Sequence, residues 1–459
     1  MSKIKSKTNI TIGVIGFLSF FGILLETAIN VIIPTLTKEF HTNLGTTQWL
    51  TTGYLLLVTF TMITTAFLLK MFHIKKLFIT AVFINLIGCF LCILAPNFFI
   101  LLIGRLLQAI STGISTPLLF FVINALIPSN RLGTYIGFAG MLISLAPSLG
   151  PTYGGLIESF FSWRLIFWII IPFLLLILLI GLKKITFVNT INKTHFDYIG
   201  FISLIVFLGG IEVILNQLGN HSWNNDLSVE TSIIIIAVII FTLYNYKGKY
   251  KIADWSILRK PLLSLRLFNY FTLQFSNIGL AFLIPIFAQN FLDTNSFIAG
   301  LVLFPGSIIG SFLTPFAGRW YDKTNFLKPL ITSDTLVIIG AGLFLIFTQD
   351  LSVWLLLLFF LILRIGFNIG FSNTMSDASK NTPFKKNADQ SSIFQMTQQY
   401  AGSIGTAIMS LMVSLQERLI PTNQKLAYLI GSRLSFSIVL ILAILSLIGT
   451  LISKKFLKN

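Results

Sequence analysis

Charge is scarce in this chain. Only 10% of its 459 residues are Asp, Glu, Lys or Arg, whereas soluble domains carry about a quarter. Acids are the rarer sign, 15 against 32 Lys and Arg. Such a composition cannot clothe a water-facing surface, which excludes an ordinary soluble domain. Cysteine is nearly absent. Cys89 and Cys92 form a C-x-x-C inside an apolar run and read as two small apolar side chains, not a redox or metal pair. His41, His73, His195 and His221 fall in expected loops without ligand spacing. No G-x-x-x-x-G-K-[ST] run is present, which excludes a P-loop nucleotide site. With no Ser/His/Asp, metal or haem constellation, neither a catalytic centre nor a cofactor is expected.

What is present is apolar surface: 55% hydrophobic residues and a mean hydropathy of +0.88. The runs reach the roughly 20 residues a spanning helix needs. They are continuous, not alternating, which favours helices over a β-barrel. An all-α polytopic membrane protein follows, with about fourteen spans. These lie near 10–33, 48–69, 77–95, 98–126, 133–157, 165–182, 198–217, 229–246, 270–291, 297–318, 328–347, 352–376, 390–415 and 433–452. The net charge of +17 sits in short loops beside these spans, which argues against a nucleic-acid partner. Lys3/Lys5/Lys7, Lys70/Lys75/Lys76, Lys183/Lys184, Lys247–Lys260, Lys380/Lys385/Lys386 and Lys454/Lys455/Lys458 fall on one side. The opposite loops hold few cations, and one carries Asp226 and Glu230. The positive-inside rule then places both termini on the cytoplasmic side of a cell membrane. The first run is expected to be retained, because no small-residue cleavage site follows it and it carries Glu26 and Asn30.

An internal repeat is legible. Glu26 precedes Pro34 by eight residues in the first span, and Asn277 precedes Pro285 by eight in the ninth. Arg105 lies in span 4 and Arg364 in span 12. Spans 1–6 therefore align with spans 9–14. The expected layout is a six-helix bundle over 1–190, two inserted helices over 191–250, a cytoplasmic linker over 251–268 and a second six-helix bundle over 269–459. The linker's PLLSLRLF is expected to lie along the membrane surface.

An acid inside a membrane marks a functional site by default. A low dielectric makes the charged carboxylate costly, so such a group can hold a proton or a cation and exchange one for the other. Glu26, among Leu24, Leu25 and Ala28, is the first candidate. Glu212, after Gly209-Gly210 in the insertion, and Asp334 in span 11 are weaker ones. Glu158 beside Trp163 and Arg164 reads as an extracellular ion pair. Arg105 keeps its charge under all working conditions and needs a buried acceptor; placed near an acid it would time proton release. Gln395, Gln398 or Gln399, Gly402 and Thr406 share one helical face, which reads as cavity lining. Asn30, Gln108 and Asn277 could add polar contacts to that cavity. Tyr54, Phe120, Tyr153, Phe282, Phe367 and Tyr400 could supply aromatic walls for flat cations.

One run carries a further signal. In GFAGMLISLAPSLGPTYGGLIES, the small residues Gly137, Ala146, Gly150, Gly154 and Gly155 allow close helix approach. Pro151 removes a helical hydrogen bond, so the segment is a candidate hinge. Its spacing resembles the antiporter signature of the major facilitator superfamily, with Ala146 in place of one Gly. Other runs resemble that superfamily's fourteen-helix drug:proton antiporters. They are LLETAINVIIP in span 1, QWLTTGYLL at Trp49 and Tyr54, GRLLQA at Arg105 and Gln108, and SWRLIF at Trp163, Arg164 and Phe167. One loop departs. After span 2 the superfamily reads Gly-x-Leu-Ala-Asp-Arg-x-Gly-Arg-Arg, and here Lys70 stands at the Asp and His73 at the second Gly. The second copy keeps Gly318, Arg319, Asp322 and Lys323, which the resemblance makes a cytoplasmic gate.

The resemblance implies a major facilitator fold of two six-helix bundles plus two inserted helices. It implies a role for Arg105 in proton transfer, and a monomeric antiporter that exports hydrophobic, cationic drugs on the proton gradient without a cofactor. One alternative is a carrier of a physiological solute such as a lipid, fatty acid or metabolite. Another, less favoured, is a membrane enzyme or sensor.

Overall fold

The structure, a computed structural model, describes residues 6–42, 44–186, 191, 195–220, 225–247, 251–294, 296–324 and 327–457. Lys3, Lys5, His221, Lys249 and Lys458 lie outside the described residues. Among those described the regular structure is helical throughout. Thirteen helical segments are long and apolar enough to cross a membrane. In lipid the backbone must satisfy its own polar groups, and a helix does so within one segment.

The first stretch holds α1 (Ser6–Glu39), α2 (Leu44–Met71), α3 (Ile74–Ile93), α4 (Phe98–Leu126), α5 (Leu132–Phe160) and α6 (Leu165–Lys184). Then follow α7 (Tyr198–Asn220), α8 (Asn225–Lys247), α9 (Pro261–Asn290), α10 (Ser296–Leu301) and α11 (Phe304–Thr324). The chain closes with α12 (Leu327–Ile346), α13 (Val353–Lys380), α14 (Asn387–Leu419) and α15 (Gln424–Ser453). Every expected span coincides with a helix. The tenth is interrupted between α10 and α11, where Pro305 cannot donate to the Leu301 carbonyl. The thirteenth, α14, falls outside the apolar set because Ser391, Ser392, Gln395 and Gln398 occupy its first turns, all buried. PLLSLRLF does not lie flat as a surface segment. It forms the first two turns of α9, with Pro at the start and Leu262, Leu263 and Arg266 buried; Pro suits a helix's first position because its missing N–H has no partner there.

The chain divides into two compact units, residues 1–195 with 383–396, and residues 196–382 with 397–459. Within the first, α1 packs on α4, α5 and α6, while α4 also packs on α2 and α3, and α3 on α6. Within the second, α9 packs on α13 and α15, α13 also on α11 and α12, and α12 on α15. Replacing α1, α2, α3, α4 and α6 by α9, α11, α12, α13 and α15 maps one set of neighbours onto the other. The repeat read from Glu26/Asn277 and Arg105/Arg364 is thus a repeat of packing. The inserted α7 and α8 pair with each other.

Candidate functional site

Several candidate residues of the first unit converge on α1. Glycine decides how α1 is seated. A side chain on Gly22 would strike Thr112 of α4, one on Gly150 would strike Thr27, and one on Gly154 would strike the Ala28 backbone. The turn carrying Glu26 is therefore clasped by α4 on one side and α5 on the other. Glu26 is half-buried there, and its charge acts on Tyr54 of α2. Tyr54 is fully buried and donates to the Gly22 carbonyl at 3.1 Å, with Thr112 Oγ1 2.7 Å away.

Arg105 of α4 lies across the same tyrosine. Its guanidinium carbon is 4.3 Å from the Tyr54 ring centroid, a cation–π arrangement. Its Nη1 donates to Gln108 Oε1 at 2.8 Å, and Gln108 passes the chain on by donating to Cys89 Sγ at 3.3 Å. Arg105 and Gln108 are both fully buried. The Nε and Nη2 of Arg105 have no hydrogen-bond acceptor among the described residues. Two charges of opposite sign thus act on one buried phenol, and the cation keeps donors free for a carboxylate or ligand. Cys89 and Cys92 are free, buried thiols packed against α4. Cys89 is more than a small apolar filler, since it also bonds Asn85.

The second unit holds a matching pair without an acid. Arg364 of α13 donates to Asn277 of α9 and lies over the Phe367 ring at 5.1 Å. The glycine contact is repeated as well. Side chains on Gly402 and Gly405 of α14 would meet Ile278 and the Phe275 carbonyl of α9. The sequence reading missed this second close approach, although the AGSIG run carries it.

The remaining candidates are dispersed. Asn30 is exposed and accepts from Thr51 at 2.8 Å. Tyr153 is turned to α6 and donates to the Ile166 carbonyl at 2.7 Å. Gln395 is buried, Gln399 half-buried, and the neighbouring Gln398 accepts from Tyr270 at 2.9 Å. Glu212 bonds Ser403 of α14, and Tyr400 donates to the Leu208 carbonyl at 3.1 Å, so these residues fasten α7 to α14. Asp334 is fully enclosed. Its carboxylate accepts from Asn269 at 2.9 Å, Ser446 at 3.0 Å and Thr450 at 2.7 Å.

Three ion pairs correct or extend the sequence reading. Arg164 pairs with Glu39 at 2.7 Å, not with Glu158, which instead accepts from Thr35. Burial works against the charge on Glu39. Hydrogen bonds from Trp163 and Arg164, with the Arg164 charge, outweigh it and hold the carboxyl below its usual range. At the expected gate, Gly318 is buried, Arg319 is exposed beside Phe316, and Asp322 lies 3.9 Å from Lys380. Beneath them sits a pair the sequence did not disclose, Arg266 to Asp377 at 2.6 Å, both buried, with Tyr321 donating to Asp377 at 3.1 Å.

Lys70, the departure from the loop pattern, is paired too. Its Nζ is 2.5 Å from Asp389, in the first turn of α14. Asp389 is 2% exposed and Lys70 26%. The departure thus sets a cation of α2 in an ion pair with an acid of α14.

The profile of the Major Facilitator Superfamily matches residues 15–406. The chain is 32% identical to the lincomycin resistance protein LmrB of Listeria innocua over 405 residues, covering 87% of this chain and 85% of that one. It is 30% identical to LmrB of Bacillus subtilis, covering 95% and 94%. It is 26% identical to the riboflavin transporter RibZ of Clostridioides difficile, covering 94% of each. Among solved structures, the human organic anion transporter MFSD10 superposes with a TM-score of 0.69 at 11% identity, covering 97% of this chain and all of that one. The proton:xylose symporter XylE superposes at 0.64 and 15% identity, covering 97% and 95%.

Proposed function

The chain belongs to the Major Facilitator Superfamily and is a polytopic membrane transporter of small molecules, and on that premise we propose that it is a proton-coupled exporter of hydrophobic, cationic drugs. The convergence of Glu26, Tyr54, Arg105, Gln108 and Thr112 on the turn clasped by α4 and α5 carries this reading. The resistance proteins of Listeria and Bacillus support export of a drug.

The cycle begins with the basic loops in the cytoplasm and Glu26 deprotonated while drug occupies an inward-open cavity. The α1–α5 contact at Gly150 and Gly154 then changes as the halves rock. Protons from outside reach Glu26, displace the drug and reset the carrier. The driving force is adequate, since one charge crossing 100 mV is worth about 2.3 kcal/mol. The direct test is proteoliposomes with an imposed pH gradient: lincomycin should move uphill against proton flow, and indifference to the gradient removes the proposal. The riboflavin relative favours a second reading, carriage of a metabolite. Competition by riboflavin, with none by cationic drugs, would select it.

Two variants examine the moving parts. Gly154→Leu and Gly150→Leu place a branched side chain where a Cβ alone already collides with α1. Overpacking costs about 1–3 kcal/mol, enough to trap one of two states separated by a few kcal/mol. Both variants should reach the membrane and stop efflux; normal efflux at equal expression would remove the hinge. Lys70→Asp sets two carboxylates together. The cost should fall between about 1 kcal/mol for an exposed pair and about 3–5 kcal/mol for a broken buried one. Efflux should fall and should return in the double variant Lys70→Asp/Asp389→Lys. Failure of the swap to rescue a folded protein would show that the pair's charge is not what holds it.

A further inference from the structure

The departure at the α2–α3 loop has a second consequence. Beside it lies a cleft of about 550 Å³ where α3 begins and α6 ends. His73, Lys75 and Lys76 stand on one side; Ile79, Thr80 and Ile185 form its walls. His73 precedes α3 without making a capping bond. Lys183 and Lys184 close the last turn of α6, which is held against α3 by Gly181 seated on Phe78. Segments 68–80 and 181–186 contain no Asp or Glu. Among the described residues none of Lys75, Lys76, Lys183 and Lys184 is ion-paired to a carboxylate.

The cleft runs onto apolar surface. Lys76 and Thr80 begin a stripe of exposed residues that continues through Phe83, Ile87 and Phe90 on one face of α3. On α6 a facing stripe runs through Leu182, Leu179, Leu175 and Trp168, all exposed. The two meet where Phe90 and Trp168 stand edge to face at 6.4 Å. Cations at the head of an apolar track match a molecule with an anionic head and a hydrocarbon tail.

We propose that this cleft binds the headgroup of an anionic phospholipid, its acyl chains lying along the exposed stripes of α3 and α6. A free phosphate would leave the apolar track unused. A zwitterionic lipid would bring an ammonium to a cleft whose lining residues include cations and no Asp or Glu. Basic recesses between spanning helices are suited to anionic headgroups, each cation near the surface adding attraction that falls off within a Debye length. This site is independent of which solute is carried and of proton coupling.

The test uses the full chain in nanodiscs containing phosphatidylglycerol and phosphatidylcholine, with retained lipid counted by native mass spectrometry. The wild type should retain phosphatidylglycerol selectively. Lys75→Gln/Lys76→Gln should lower that selectivity by on the order of tenfold. Thr80→Trp, which fills the cleft without altering charge, should lower it as well and carries the test if the Gln pair does not fold. Lys454→Gln/Lys455→Gln, exposed at the other end of the sequence, should leave it unchanged. The proposal fails if the wild type shows no selectivity. It fails if folded Lys75→Gln/Lys76→Gln or Thr80→Trp protein holds phosphatidylglycerol like the wild type. It also fails if inorganic phosphate in detergent raises the melting temperature as much as phosphatidylglycerol does.

Discussion

Glu26→Gln should abolish uphill efflux of cationic drugs while leaving a folded protein that still binds them. Glutamine keeps the length and much of the hydrogen bonding but cannot exchange a proton for a cation. Gly22, Gly150 and Gly154 seat the turn against α4 and α5, so the fold should survive. The sign of the pH effect follows from competition. When proton and drug share one site, the wild type binds drug more tightly as pH rises, because fewer sites are protonated. In Glu26→Gln that dependence should flatten, and transport should drop by at least about tenfold, roughly 1.4 kcal/mol of coupling. Glu26→Asp, with a carboxylate on a shorter stem, should retain part of the activity. Glu212→Gln should do much less, because Glu212 bonds Ser403 and fastens α7 to α14. One such bond contributes about 1 kcal/mol. Full activity in Glu26→Gln with loss in Glu212→Gln would relocate the coupling site to the inserted helix.

Arg105 should be nearly as sensitive. Its guanidinium is fully buried, lies over Tyr54 at 4.3 Å and holds Gln108 at 2.8 Å. Lysine keeps the charge but not the planar fork that stacks and donates at once. Arg105→Lys should slow transport on the order of tenfold with drug binding retained within about twofold. Arg105→Ala also leaves the Gln108 carbonyl without its donor, at a cost of about 1–3 kcal/mol in stability. Comparing transport per folded molecule with equilibrium drug binding separates the two effects. Normal transport by Arg105→Ala would make the residue structural and leave Glu26 without a timing partner.

Local pattern disclosed most of the architecture. Apolar runs mark membrane helices because lipid admits little else, and every expected span is found. The repeat was legible because Glu26/Asn277 and Arg105/Arg364 occupy matching helices. Close helix approach at small residues on one face was also legible, as with Gly150 and Gly154. Partners far apart in the chain were not. Nothing in the run PLLSLRLF shows that Arg266 meets Asp377, 111 residues on. Lys70 was legible only as a departure from the loop pattern; its partner Asp389 lies 319 residues away. The sequence reading set Arg164 beside Glu158, and packing pairs it instead with Glu39, 125 residues away in the chain. The first half of α14 is polar in sequence, and only the fold shows that its serines and glutamines are buried in protein.

Proton release on drug binding bears most directly on the coupling of drug to proton. Purified protein in weakly buffered detergent is titrated with lincomycin and with a cationic dye over a series of pH values. Binding should release on the order of one proton per drug in the wild type and none in Glu26→Gln. Saturable drug binding without proton release at any of these pH values, in a wild type that transports the same drug, would contradict proton-coupled exchange at Glu26.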